Sequence, residues 1–443
     1  MTTSSPLIDT LTTCLRERYE ERLASHTHTI PLFNEVRQQG YDLFSTDGLP
    51  TSKSEAYRYT KLAHRLAPFF SEEVVSAPLT SRVAKLPSLL QGIDSHICTI
   101  YHGALHPPSQ EGDFPCEVTS LAEGYRRFPS LLNDHFNGQA GVVQDGWVAL
   151  NQMFFDEGTF LYVPPHVRIE KPLLIHHFAE SDVPMASFPR LLIVMGKHSQ
   201  ATIIETFSTT TSSVPAFVHR VGEIVLEADS ELTYYPLQTT SPAQHHLRYN
   251  YVRQAERSTF KQHLLSAYPG DALVRDAIVV TLTGKEASTE LHGLYRTCEQ
   301  QHLALHTAVH HQCGHTSTRQ HYKGLIQDRS TALFDGTVLI SPNAQKSTAS
   351  QQHKAWLRSD EATLYTRPQL SIEADDVQCS HGATTTQLDP TQLTYLRTRG
   401  LTTSSAERLL LQGFFSDEIE AIPHLDIQKI APKAIFLATY SDV

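Results

Sequence analysis

The sequence contains no apolar run approaching the ~20 residues that a membrane-spanning helix needs. Its opening stretch, Met1 to Thr13, lacks the basic-then-apolar pattern of a secretory signal and the Arg-rich pattern of an organelle transit peptide. The expected location is therefore cytoplasmic. Cysteine is scarce: six residues, at positions 14, 98, 116, 298, 313 and 379, with no CxxC pair. That excludes a disulfide-built fold and reads as free thiols in a reducing compartment. Basic residues are in deficit, 36 Lys and Arg against 47 Asp and Glu, for a formal charge of −11. With no Lys/Arg run to offset it, general nucleic-acid binding is excluded. Catalytic signatures are missing too. Gly-x-Ser-x-Gly, HExxH and Walker A patterns are absent, and Gly284-Lys285 has no phosphate loop upstream. No carboxylate set recurs as a polymer-cleaving groove would require. The chain is therefore expected not to be an enzyme.

What is present is a globular composition, 40% hydrophobic and 19% charged. Three regions separate. Residues 1–140 mix helical and irregular segments. Ser5-Pro6 is a helix start, and Leu7, Leu11, Leu15, Tyr19 and Leu23, with Ile8 and Cys14, predict one apolar face. A second helix is predicted over about 54–66, and loops with a few short strands over 76–120. Residues 141–388 are rich in β-branched and alternating runs: Gly141–Leu150, Leu191–Val194, Ala201–Thr206, Glu223–Leu226, Ala277–Leu282 and Ala332–Ile340. Few helical periods separate them, which argues against a doubly wound α/β fold. Polar turns ending in a small residue recur, among them Gly196–Ser199, Glu227–Ser230, Ala255–Ser258, Gly284–Ala287 and Gln327–Ser330. Most steps are about 30 residues, with a longer gap before Gln327. Such a period marks stacked supersecondary units, hence a β-solenoid, although a β-sandwich also repeats its turns. Residues 389–443 turn helical. Asp389-Pro390 starts a helix, Arg399-Gly400 stops it, and Ser404 with Glu407 has capping-box spacing. Leu409, Leu410, Leu411, Phe414 and Phe415 then cluster, to be buried within the chain or against another protein.

Two constellations carry metal-ligand chemistry. In Cys379-Ser380-His381, residues two apart on a strand share a face, bringing a sulfur and an imidazole together as ligands for iron, zinc or an iron–sulfur cluster. Two ligands are too few for a complete site, and ordinary packing of a buried Cys and a half-buried His is the other reading. His311, Cys313 and His315 share a face on a straight strand, but their spacing fits no zinc finger and Gly314 bends the run. The 25 histidines read as metal handling or, more simply, as solvent-facing strand residues.

The segment from Leu333 to Ile419 resembles the C-terminal half of the SufB/SufD family. The resemblance rests on Phe334-Asp335-Gly336, Ala344-Gln345-Lys346, Pro368-Gln369-Leu370-Ser371-Ile372, the run Ala374 to Thr384, Tyr395 to Gly400 and Gly413-Phe414. Lys53-x-Glu55-x-Tyr57-Arg58-Tyr59-Thr60 resembles an N-terminal motif of the family. Cys379-Ser380-His381-Gly382, the solitary early Cys14 and the lack of cysteine between 313 and 379 place it on the SufD side. Tyr57 stands where the family has Trp, Thr385-Thr386 replace a Val-Gly pair, and Thr394 replaces an aromatic.

The resemblance implies a right-handed parallel β-helix, residues 141–388, flanked by a mixed N-terminal domain and a C-terminal helical domain. It implies a scaffold for iron–sulfur cluster assembly that pairs with a SufB-like paralogue. It also implies binding of a SufC-like ABC ATPase through the C-terminal helices, with Tyr395, Arg399, Leu409 and Phe414 as the candidate contacts. The family's interface histidine falls on His381, with Cys379 beside it. No cofactor is expected to stay on this chain alone. Iron or a nascent cluster would be held transiently in the complex, and a reduced flavin is linked to it. A homodimer is one arrangement open to the chain where partners are missing, and the sequence does not decide between homodimer and heterodimer. A SufB-like cluster carrier and a β-helix polysaccharide-active enzyme stand as alternatives.

Overall fold

The computed structural model describes residues 6–25, 30–60, 62–71, 86–101, 104–105, 115–179, 185–209, 216–238, 244–267 and 270–436. Its centre is a parallel β-solenoid. From Arg190–Met195 onward the chain alternates between two facing sheets, so each strand pairs with the strand two places later in sequence. Pairing is parallel throughout, for example His302–His311 on Thr331–Ile340 and Ser317–Ile326 on Thr348–Leu357. Among the described residues, antiparallel pairs occur only near the N-terminal end, at His96–Tyr101 with Ala104–Leu105 and at Glu117–Ser120 with Gly158–Val163. The core between the sheets is a continuous column of buried side chains running from Ile175 and Ile193 through Leu264 and Val280 to Phe334.

The turns explain the repeat. His198, Asp229, Arg257, Glu286, His315 and Lys346 each adopt a left-handed conformation, φ 54–61°. They stack along one rim, where His198 N donates to Ala228 O, Asp229 N to Glu256 O and Arg257 N to Lys285 O, at 2.9–3.1 Å. The small residue ending each turn folds back: Ser199 Oγ donates to Gly196 O, Ser230 to Glu227 O and Ser258 to Ala255 O, at 2.6–2.7 Å. The hydroxyl thus replaces a ladder partner at the corner. The gap before Gln327 closes at this point. The rim continues through Cys313–His315, whereas Gln327–Ser330 belongs to a second stack with Glu299, joined by Arg329 N to Glu299 O at 3.0 Å. The repeat read from the sequence mixes two rims of one solenoid.

Several expectations need correction. Gly141–Leu150 is not a strand. Asp145 accepts from Trp147 N and starts a helix, Gly146–Phe154, in which every residue is buried. A helix buried on all sides has no polar face, so its run carries no 3.6-residue period to distinguish it from a strand. The first helix, Pro6–Ser25, buries Ile8, Leu11, Leu15 and Tyr19, but Leu7 and Leu23 are exposed. Steps of four overshoot a turn by about 40°, so the ends of such a row rotate out of the contact. The stretch 54–66 is two short pieces, Glu55–Tyr57 and Leu62–Leu66. Ser404 lies inside its helix, Thr403–Glu420; the cap is Thr402, which accepts from Ser405 N, and Glu407 instead pairs with Arg358 at 2.6 Å. Ser5 and much of 76–120 lie outside the described residues. The histidines are not mainly solvent-facing: His176, His177, His219, His246, His263, His302, His311 and His353 are buried.

Helices cover the outer faces of both sheets. Pro6–Ser25 and Gly146–Phe154 share a core with Phe217, Val221, Tyr249 and Tyr251 of one sheet. Leu411 and Phe415 of Thr403–Glu420, with Ile427, Ile430 and Ile435 of Leu425–Phe436, pack on Leu237, Leu265, Leu294, Leu325 and Trp356 of the other. The apolar cluster of the C-terminal region is therefore largely self-buried. Among the described residues no helix is long and apolar enough to cross a membrane.

Candidate functional site

Strand Gln378–Thr386 is the last rung of its sheet, and pairing fixes which way its side chains face. Gln262, Leu291, Gln320, Gln351 and His381 occupy one position on successive coils; Phe260, Thr289, Thr318, Ala349 and Cys379 occupy another. All but the two final residues are buried between the sheets. Residues paired across a ladder share a face. Cys379 and His381 therefore point the way the core points, at a coil with nothing stacked beyond it.

That end is open. Among the described residues Gln378–Thr386 pairs only with Thr348–Leu357, and Thr363–Ile372 only with Thr331–Ile340, so both sheets end there on a free edge. The next helix, Pro390–Thr398, has no buried residue. Cys379 is half-buried against Val338, Ile340, Ala344, Ala349 and Ala374, and this burial pushes its thiol upward. His381 is exposed. A cleft of about 390 Å³ lies beside them, lined by Glu290, Arg319, Ser350, Cys379 and Ser380 among others. Among the described residues no three His, Cys, Asp or Glu side chains are grouped to hold a metal. The structure brings Cys379 and His381 to one face and supplies no further ligand.

The second constellation does not assemble. His311 is buried at the end of its strand, with Nδ1 on Thr316 Oγ1 at 2.7 Å and Nε2 on Thr318 Oγ1 at 2.9 Å. Cys313 Sγ donates to Thr283 O at 2.9 Å, and His315 is the left-handed turn residue of its coil. Two of the three residues are engaged in building the rim. Of the C-terminal candidates, Tyr395 is 58% exposed beneath the Arg399 guanidinium, 5.2 Å from the ring centroid, and Leu409 is 49% exposed. Phe414 is partly buried against Trp356 and Phe415.

The motifs of the resemblance have structural uses near the open end. A Cβ on Gly336 would lie 1.9 Å from Gln351 Nε2. The Phe334 ring stacks on His353 at 4.5 Å. Gln345 and Lys346 form a rim turn, accepting from His315 N and donating to Asp376 O. The N-terminal motif reaches the last coils through Tyr59 stacked on Tyr365 at 4.2 Å and Glu55 paired with Arg367 at 3.1 Å. Arg367 also pairs with Asp335, at 3.1 Å. Tyr57 is buried; its hydroxyl meets Asp145 and lies 3.0 Å from Tyr249 Oη, contacts that give a phenol a use at this position. Thr385 and Thr386 continue the ladder opposite Ala355 and Trp356, so the strand stays regular past His381.

Sequence reasoning missed a charged network inside the solenoid. Arg220 Nε donates to Glu205 Oε1 at 3.0 Å, while Tyr234 and His177 also bond Glu205. Arg248 pairs with Asp276 there too, whereas Arg190 pairs with Glu223 at 3.1 Å on the outer face of its sheet, against Asn137 and Phe136 of the N-terminal region. Glu223 further accepts from Asn137 N at 2.6 Å and Gln139 N at 2.9 Å. Burial opposes the Glu205 charge, but Arg220 and His177 outweigh it and hold the carboxyl well below its usual range. Partners such as Arg248 and Asp276 are one coil apart; opposite charges at that interval were the available signal.

Fold and site together describe a parallel β-solenoid whose final coil presents a cysteine and a histidine on one face at its last described edge. The profile of the SUF-system iron–sulfur cluster assembly SufBD core domain matches residues 177–414, more than half of the chain. The profile of the SufBD N-terminal region matches residues 13–175. The chain belongs to the SufB/SufD family of iron–sulfur cluster assembly proteins. It is 26% identical over 390 residues to the iron–sulfur cluster assembly protein SufD of Escherichia coli, covering 87% of this chain and 88% of that one. It is 26% identical over 423 residues to a SufBD family protein of Synechocystis, covering 92% and 91%. It is 27% identical over 429 residues to a chloroplast protein of Arabidopsis thaliana, ABCI7, covering 94% and 88%.

Proposed function

We propose that the chain is a SufD-like, non-catalytic scaffold that joins a SufB-like subunit at its open end. In this reading it carries a SufC-like ATPase on its C-terminal helices. Iron or a nascent iron–sulfur cluster is the cargo, held transiently between His381, with Cys379 beside it, and ligands from the partner. The observation that carries this reading is the final coil itself. Its two candidate ligands face along the core at an end where both sheets leave unpaired edges. Free edges of this kind recruit another chain. A single imidazole and a single thiol cannot complete a coordination sphere, so a second subunit has to supply the rest. Binding needs the neutral imidazole and the thiolate, so acid weakens the site. Tyr395, Arg399 and Leu409 are the exposed positions for the ATPase contact, with Phe414 at its margin. A reduced flavin is assigned to the complex rather than to this chain.

Gly382 supports the same reading. It sits mid-strand with ordinary strand pairing opposite Gln352, and a Cβ built there meets nothing within 4 Å. Glycine inside a strand costs about 0.5–1 kcal/mol relative to alanine and often marks close approach of another backbone. Nothing among the described residues requires glycine at that point; a docked subunit would. The test is co-purification of the tagged chain with candidate partners. The wild-type protein is expected to retain an ABC-type ATPase and a cysteine-richer paralogue. Gly382→Trp is expected to lose the paralogue, keep the ATPase and change the isolated chain's stability by no more than about 0.5 kcal/mol. Retention of the paralogue by Gly382→Trp would contradict docking at this edge.

A further inference from the structure

Histidine occupies the same rung on three successive coils, at His263, His292 and His321, on the outer face beneath helix Thr403–Glu420. That helix places one buried carboxylate, Glu418, across two of them. Glu418 Oε2 lies 3.1 Å from His292 Nδ1, and Glu418 Oε1 meets His321 Nδ1. We propose that Glu418, His292 and His321 form a proton-gated clasp that holds this helix on the solenoid and loosens as the medium turns alkaline.

Other charged and titratable groups lie around His292. His292 also faces Glu290 on its own strand, Nε2 to Oε2 at 3.4 Å, and stacks on His263 at 4.9 Å. Lys261 lies on the His263 strand, where it pairs with Glu231 at 3.3 Å. On the His321 strand are Arg319 and Lys323, and the next strand brings Gln352 to His321 Nε2 and carries Lys354. The helix adds Asp417, paired with Lys323, whose Nζ also donates to Phe414 O at 2.8 Å. His424 precedes the last helix, which contributes Asp426 and Lys429, paired with each other at 3.3 Å. Lys323 with Asp417, and Arg358 with Glu407 at 2.6 Å, hold the helix through contacts that do not involve the histidines.

Burial disfavours charge on His292, but the hydrogen bonds and charges of Glu290 and Glu418 outweigh it and lift its pKa to about 9. Its contribution is therefore complete below the ordinary value of 6.5 and is lost as pH rises through about 9. Burial likewise opposes the Glu418 charge, yet the two imidazoles draw its pKa down to about 2, so its contribution is lost only in strong acid. His263 is pushed down to about 3 by burial and by the His292 charge, and it stays neutral above that.

Hydrogen exchange on the full chain tests the clasp. Between about pH 6 and about pH 9, after correction for intrinsic rates, protection across Thr403–Glu420 is expected to fall on the order of tenfold or more, since one linked proton allows up to about tenfold per pH unit. Strand His302–His311 is expected to stay unchanged. Glu418→Gln should loosen the helix at the lower pH and remove the dependence. If that variant unfolds the helix outright, His292→Gln, which keeps a donor but no charge, should show a flat profile. Equal wild-type protection at both pH values, or the same fall in His292→Gln, would overturn the proposal.

Discussion

Arg220→Ala is expected to lower the stability of the chain by roughly 3–5 kcal/mol, the cost of leaving a buried charge without its partner. The side chains of Arg220 and Glu205 are 1% and 0% exposed, and the guanidinium bonds Glu205, Tyr234 and Asn250 together. Without it the Glu205 carboxylate keeps only Tyr234 and His177, and part of its charge has to be neutralised by a proton. A urea denaturation series measures the loss. Replacing both charges, Glu205→Leu with Arg220→Met, should recover much of it, because the pair is costly to desolvate as well as to break. A double variant as unstable as Arg220→Ala would show that the network contributes more than mutual neutralisation. Acid acts in the same direction. The Glu205 carboxyl is held low, so its contribution is present above the ordinary carboxylate range and lost as pH falls below it. Burial also pulls the pKa values of His219 and His353, and of His246 beside Arg248, down to about 3. Each favours the folded state above about 6.5 and ceases to do so as pH falls toward 3, because only the unfolded chain takes up the proton.

The parts of this molecule that were legible in the sequence are those governed by local chemistry. Asp389-Pro390 predicts a cap and Asp389 accepts from Thr391 N. Gly400 ends that helix at φ 92°. Ser199, Ser230 and Ser258 mark the corners because a short hydroxyl can bond the carbonyl three residues back. What was not legible depends on neighbours one coil away. His292 and His321 look like strand residues facing water, and only the returning C-terminal helix, with Glu418, turns them into an enclosed ion-pair cluster. The burial of Gly146–Phe154 on every side erased the period that identifies a helix. For the candidate site, Cys379 and His381 were visible as a pair on one face. The position of His381 at the end of the core's glutamine rung, above Gln320 and Gln351, and of Cys379 above Thr318 and Ala349, was not, because register is set by pairing across about 30 residues.

The open end also explains why the candidate site is incomplete. A solenoid stops growing when something covers its last coil, yet here the final strands of both sheets carry exposed and half-buried side chains. The N-terminal motif reinforces this end from the side, through Tyr59 on Tyr365 and Glu55 on Arg367, without covering it. In the proposed function, a coil that ends in exposed edges is where a second subunit would complete the site.

The most direct measurement is iron–sulfur cluster yield in a co-expressed complex of this chain with a SufB-like paralogue and a SufC-like ATPase. Wild-type complex is compared with complex carrying His381→Ala. His381 is exposed, so assembly of the complex should persist. Cluster yield should fall by about 10–100-fold, the scale on which even the outer partners of metal ligands affect function. A His381→Ala complex that assembles and forms clusters at the wild-type level would contradict the assignment of the final coil as the place where the cargo is held.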